Sequence, residues 1–353
     1  MTPIRAGAGA AVPTECWYAL TESAAVGRDL LAMRALGRGV VVFRTSDGAA
    51  AALEDRCAHR AYPLSAGRLE GDRVRCGLCG FVYDRDGQCV SVPTQARVPF
   101  GATVASYPVR ESDGLLWAWL GEPGRARLHR TPELPWLADP AWATVRGQAE
   151  VGASFLLLHE SFADVTQVPF VAPEISPAVL AAVPPALDVE VSETRVSLRR
   201  QFPPAALPGW QSRLAERPAG EEFTTVQEAF FISPAAWVDH WDVRSVDGQW
   251  LRLRFTQLVT PLDARRSRLQ WSVSRDFAVA DTEASAELVE MFDGYYRRVM
   301  AAMETAQRVI DTDGPGREVN VSADVAALKV REIVGGLLAE EGRTRGVRRS
   351  RRT

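Results

Sequence analysis

The sequence predicts an α+β protein in two parts: an all-β part over residues 15–122 and a mixed α+β part over residues 123–340, followed by a basic tail at 341–353. Three observations carry this reading. Short β-rich runs broken by turn residues fill the first part. Long strand-like runs and one long amphipathic helix fill the second. The stretch GEPGRARLHRTPELPW between them offers few apolar side chains to bury, which places a boundary near residue 122.

Each element follows from its local pattern. GRGVVVFRTSDGAAAALED reads as two strands joined by Ser46, Asp47 and Gly48, and VRCGLCGFVYDRDGQCVSVP as further strands that turn at Asp86 and Gly87. LLWAWLGEP closes this part as a strand with Trp117 and Trp119 on one face. In the second part ASFLLLHESFADVTQ is helix-like. LDVEVSETRVSLRRQF and FTTVQEAFFISPAAWVDHWDVRSVDGQWLRLRFTQLVTPL are strand-like, with turn chemistry at Val246, Asp247 and Gly248. ASAELVEMFDGYYRRVMAAMETAQRVID is a long amphipathic helix. The final EGRTRGVRRSRRT, with six arginines, is expected to be a solvated, frayed tail.

Composition narrows the function classes. With 46% hydrophobic and 24% charged residues the chain is of ordinary globular type. A net charge of −3 argues against a nucleic-acid partner. No apolar run reaches the ~18 residues of a membrane span, and MTPIRAGAGAAVPTE lacks the features of a signal peptide, so a cytoplasmic location is expected. Five cysteines (Cys16, Cys57, Cys76, Cys79 and Cys89) are too few for a disulfide scaffold in so long a chain. Cys16 and Cys89 are expected as core residues.

The other three cysteines cluster. Cys57 and His59 are followed, after sixteen residues, by Cys76 and Cys79. Two such pairs on neighbouring hairpin tips can converge on one metal centre, because a short spacer lets both side chains of a pair reach the same site.

The stretch EDRCAHRAYPLSAGRLEGDRVRCGLCGFVYDRDGQCVSVP resembles the Rieske domain of the Rieske non-heme iron oxygenases, especially the vanillate O-demethylase-like branch. The likeness continues through HESFADVTQVPFV, TPLDARRSRLQWSVSRDF and METAQRVIDTD and covers nearly the whole chain. It implies an N-terminal Rieske-like iron–sulfur domain, then a helix-grip-like catalytic-type domain, and assembly as a homotrimer. The family pattern is C-x-H then C-x-x-H, which holds a [2Fe–2S] cluster by two Cys and two His. Cys57, His59 and Cys76 match, but Cys79 occupies the second histidine position. A thiolate there adds negative charge and should make such a cluster harder to reduce. Three cysteines and one histidine also form a standard structural zinc set, so iron–sulfur, one zinc or no metal all remain open.

The family's second centre is a mononuclear iron held by D-x-x-H-x-x-x-x-H and a later aspartate. Here Asp164 survives, the histidine positions hold Gln167 and Ala172, and Val299 stands where the aspartate is expected. No mononuclear iron is therefore expected, and a displaced site would have to use His159 and His240. The resemblance then leaves a cavity suited to a hydrophobic small molecule. Helical spacing puts Glu160, Asp164 and Gln167 on one face. Strand alternation puts Trp237, Asp239 and Trp241 on one face, His240 and Asp242 on the other. A carboxylate between two indoles is desolvated, and its raised pKa would suit acid–base work.

Asp239, His240, His159, Glu160, Asp164 and Gln167 are thus the catalytic candidates. The expected function is a non-redox cyclisation or isomerisation in specialised metabolism. The alternatives are a Rieske-type monooxygenase or O-demethylase, an electron-transfer or regulatory subunit, and a non-catalytic binding protein.

Overall fold

The computed structural model describes residues 12–180 and 182–350, with side chains as far as residue 344. The described residues form two compact units, Thr14–Glu133 with Thr260–Asp263, and the remainder.

The first unit is all β. Strands β1 (Trp17–Glu22), β2 (Leu31–Ala35), β3 (Arg38–Arg44), β4 (Ala50–Glu54), β5 (Arg68–Glu70), β6 (Arg73–Arg75), β7 (Val82–Tyr83), β8 (Cys89–Ser91), β9 (Val109–Ser112) and β10 (Leu115–Trp119) form three small sheets. Their orders are β1-β10-β9, β2-β3-β4 and β5-β6-β7-β8. Both expected turns are present. Gly48 (φ 85°) lies in the β3–β4 turn, and Gly87 (φ 80°) in the β7–β8 turn. At Gly87 an added Cβ would also sit 2.2 Å from the Val104 carbonyl oxygen, so only glycine fits. Trp117 and Trp119 are fully buried.

This unit runs to Glu133 rather than stopping near 122. The Trp17 indole donates to the His129 carbonyl at 3.1 Å, and the His129 ring lies 4.9 Å from Trp119. A polar segment is thereby tied down by hydrogen bonds and aromatic contact, which apolar patterning does not register.

The second unit is α+β. It comprises β11 (Ala143–Val151), α1 (Phe155–Ala163), α2 (Val168–Val171), β12 (Asp188–Val191), β13 (Val196–Ala206), α3 (Gly209–Leu214), β14 (Glu222–Ser233), β15 (Ala236–Ser245), β16 (Trp250–Pro261), β17 (Ser267–Arg275), α4 (Thr282–Asp313) and α5 (Val325–Ser350). One seven-stranded sheet has the order β11-β17-β16-β15-β14-β13-β12.

Alternation decides which face is inner: β14 buries Phe223, Thr225, Gln227, Ala229 and Phe231 and leaves the residues between them half-covered. Helix α4 starts at Asp281, whose carboxylate accepts from the Ala284 N–H at 2.9 Å, and it buries Leu288, Phe292, Tyr296 and Val299 along one stripe. Tyr296 stacks on Trp271 of β17 at 5.0 Å. Gly147 makes room for that indole, since a Cβ there would meet it at 2.3 Å.

Two helical expectations are corrected. Helix α1 ends at Ala163, because the Asp164 carboxylate turns to accept from the Thr166 N–H (2.9 Å) and hydroxyl (2.6 Å), so Asp164 and Gln167 do not continue its face. Residues 341–350, expected as a frayed tail, instead continue α5, whereas 351–353 lie outside the described residues. The packing of Val330 and Val334, both fully buried, carries that helix. No described helix is long and apolar enough to cross a membrane.

Candidate functional site

The first unit brings three sulfurs together. Cys57 follows β4, and Cys76 and Cys79 lie in the β6–β7 connection; their Sγ atoms are all within 4.8 Å of one another. This is the one potential metal-holding group of three or more Cys, His, Asp or Glu among the described residues. Cys57 Sγ is 3.5 Å from Cys79 Sγ and 3.2 Å from the Tyr83 hydroxyl, which in turn accepts from the Ala58 N–H at 3.1 Å. Burial raises the Cys57 thiol pKa, but the Tyr83 hydroxyl and the His59 and Arg60 N–H groups outweigh it and bring it down. Cys79 is pushed up to about 12 by burial and its thiol neighbours.

His59 does not converge with the sulfurs as expected; its ring stacks on Phe81 at 4.9 Å on the exposed side of the same loops. Cys89 is buried outside the group, whereas Cys16 is only half-buried. Tyr83 was not foreseen, although its place in the hairpin beside the second cysteine pair is a usable signal.

In the second unit a cavity opens between the inner sheet face and helices α1, α3 and α4. Counting its open mouth it holds about 910 Å³, walled largely by Phe162, Trp210, Trp241, Phe255 and Phe292. Its polar lining includes Asp164, Gln211, Asp239 and Gln257. Asp239 faces inward as strand alternation requires. Its Oδ2 accepts from the Trp237 indole at 2.8 Å and its Oδ1 from Gln227 Nε2 at 3.3 Å. Burial pushes its pKa up to about 7, and the two hydrogen bonds offset this only in part.

The other candidates are engaged elsewhere. His159 is fully buried, hydrogen-bonded through Nε2 to the Pro234 carbonyl at 3.0 Å and packed on Phe231. Burial pushes it down to about 4. His240 lies on the outer face between Trp136 and Phe230 and is likewise pushed down to about 4, first by burial and then by Arg254. Glu160 forms a two-point ion pair with Arg331 of α5, which also holds Glu318. Burial raises the Glu160 pKa, with Arg331 opposing. Gln167 donates from Nε2 to the Ser161 carbonyl at 2.5 Å and hydroxyl at 2.8 Å. Gln167 and Glu160 line a second, polar cavity with Asp164, Glu318 and Asp324, while Asp164 alone of the three reaches the aromatic one.

Residues 16–108 match the Rieske [2Fe-2S] domain, and residues 151–340, more than half of the chain, match the vanillate O-demethylase oxygenase C-terminal domain. The chain belongs to the vanillate O-demethylase-type Rieske oxygenase family. It is 35% identical over 159 residues to the toluene-4-sulfonate monooxygenase system iron-sulfur subunit of Comamonas testosteroni, covering 45% of this chain and 46% of that one. A chloroacetanilide N-alkylformylase oxygenase component from Rhizorhabdus wittichii is 27% identical over 344 residues, 94% of this chain and 97% of the other. The chain spans about half the length of the first curated relatives it matches. Its fold is that of dicamba monooxygenase bound to dichlorosalicylic acid, with a TM-score of 0.87 at 23% identity over 94% of this chain and 99% of that one.

A Rieske oxygenase domain implies a [2Fe–2S] cluster, which accepts and releases single electrons. Three adjacent sulfurs, with the Cys57 thiol held toward thiolate by Tyr83, fit such a group in part. Cys57, Cys76 and Cys79 are the residues that would hold it, whereas His59, stacked on Phe81 in the same pair of loops, is not gathered with them. Of the positions that the resemblance assigns to a mononuclear iron, Gln167 is bound to Ser161, and Ala172 and Val299 are buried.

Proposed function

We propose that the second unit carries out a non-redox cyclisation or isomerisation of a hydrophobic small molecule, with Asp239 moving the proton. The observation that carries this is Asp239 itself: a carboxyl at 5% exposure, lining an aromatic cavity, with a pKa near 7. Such a group can give and take a proton at neutral pH. Trp237 and Gln227 fix its orientation, and the cavity holds the substrate in a reactive shape, which alone lowers a barrier by ~7–11 kcal/mol in favourable cases. The residues at the mononuclear iron positions do not fit that ion, because a hydrogen-bonded carboxamide, an alanine and a valine supply no ligand set.

A second reading, favoured by the sulfur triad, makes the chain an electron-carrying or regulatory partner of an intact oxygenase. Anaerobic incubation with aromatic substrates, reductant omitted, separates the two. Turnover lost in Asp239→Asn supports the first reading, and turnover that requires dioxygen or reductant overturns it. Metal analysis gives the parallel test: about two irons and two sulfides per chain are expected, and a third iron would return the chain to oxygen chemistry.

A further inference from the structure

Three residues that line the aromatic cavity each carry a buried polar group without a hydrogen-bond partner. Gln257 donates from Nε2 to the Tyr296 hydroxyl at 2.9 Å, leaving Oε1 buried and unpaired. Gln211 Nε2 and Trp210 Nε1, on α3, are also buried and unpaired. The three residues are 5%, 4% and 7% exposed, and all line the cavity. A buried polar group without a partner costs stability, and an unpaired acceptor and two unpaired donors on residues lining one cavity are groups that a ligand entering it can satisfy. The lining contains two carboxyls, Asp164 and Asp239, and no Lys, Arg or His. A buried anion would have no countercharge there.

We infer that the cavity selects an uncharged aromatic molecule carrying both a carbonyl-type acceptor and a hydroxyl donor. Gln211 and Trp210 donate to the first, and Gln257 accepts from the second. This deepens the reading of the cavity as a substrate site and rests on it. It makes Gln211, Trp210 and Gln257 specificity-determining residues.

Binding to the full chain is measured by tryptophan quenching, since Trp210 and Trp241 line the cavity. The probes are hydroxyacetylnaphthalene, acetylnaphthalene and hydroxynaphthoate, matched in ring size. Hydroxyacetylnaphthalene is expected to bind about tenfold or more tighter than hydroxynaphthoate. Gln257→Leu should weaken it about three- to tenfold and leave acetylnaphthalene unchanged, whereas Gln211→Leu should weaken both ketones. Equal or tighter binding of the naphthoate, unchanged ratios in folded variants, or no binding of any probe overturns the inference, and the unsubstituted protein's ranking alone suffices to do so. Because no turnover is read, the expected ranking without catalysis leaves the recognition standing and removes the proton-transfer reading. Asp239-dependent turnover of anionic substrates does the reverse.

Discussion

His159 and His240 lie on opposite faces of one sheet. His159 packs on Phe231 at 5.0 Å and His240 on Phe230 at 5.1 Å, and consecutive residues of a strand point to opposite sides. The two imidazoles cannot share a metal ion, which corrects the displaced iron site that the histidine count left open. It also removes His240 from the aromatic cavity and leaves Asp239 as its buried acid–base group.

Asp239 makes stability depend on pH. Its folded pKa is about 7 against an ordinary 3.8, so the folded state keeps a proton that the unfolded state loses in that window. Stability contributed by Asp239 therefore falls as pH rises from about 4 to about 7 and levels off above. Asp239→Asn lacks this term. Thermal melts from pH 4 to pH 8 should show the variant gaining on the parent protein across that window, and a constant difference would refute the shifted carboxyl.

The Glu160–Arg331 pair joins α1 to α5 with both side chains at 14% exposure. Arg331→Met strands a buried carboxylate and should cost about 3 kcal/mol. Combining it with Glu160→Met should restore much of this loss. Chemical denaturation of the three proteins reads both effects, and a double variant no more stable than Arg331→Met would contradict the coupling.

Cys79 distinguishes the first unit from the family pattern. Cys79→His exchanges a thiolate for a neutral imidazole, so the bound cluster should be reduced at a higher potential, read by redox titration of the visible or EPR signal. Cys57→Ser and Cys76→Ser should lose iron and acid-labile sulfide together. A zinc-loaded protein without sulfide would replace the cluster by a structural ion.

Catalysis rests on Asp239 in the proposed reading. Asp239→Asn keeps the size of the side chain while removing the proton, and should lower turnover about 100-fold or more. His240→Phe and Glu160→Gln should leave turnover within about threefold, because a group outside the aromatic cavity has no reach to the substrate. Initial rates on a substrate identified anaerobically decide it, and a loss in His240→Phe as large as in Asp239→Asn would move the chemistry to the outer face.

Much of this was legible in the chain. Turn glycines at Gly48 and Gly87 set the hairpins, the period of two put Trp237, Asp239 and Trp241 on one face, and the spacing of Cys76 and Cys79 set both in one strand connection. These are short-range consequences of backbone geometry, which the local sequence determines, whereas His59, expected beside the cysteines, is not gathered with the sulfurs. What the tertiary structure decided involves residues far apart in the chain. Arg331, 171 positions away, turned Glu160 from a candidate acid into a packing element. The cap at Asp164 is by contrast local, made with Thr166 two residues on, and it ended a helix that the apolar pattern would have continued. The unpaired groups of Gln211 and Gln257 emerge only once α3 and β16 form one cavity. Burial and hydrogen-bond satisfaction are properties of the assembled fold, and they determine which polar residues stay available for chemistry.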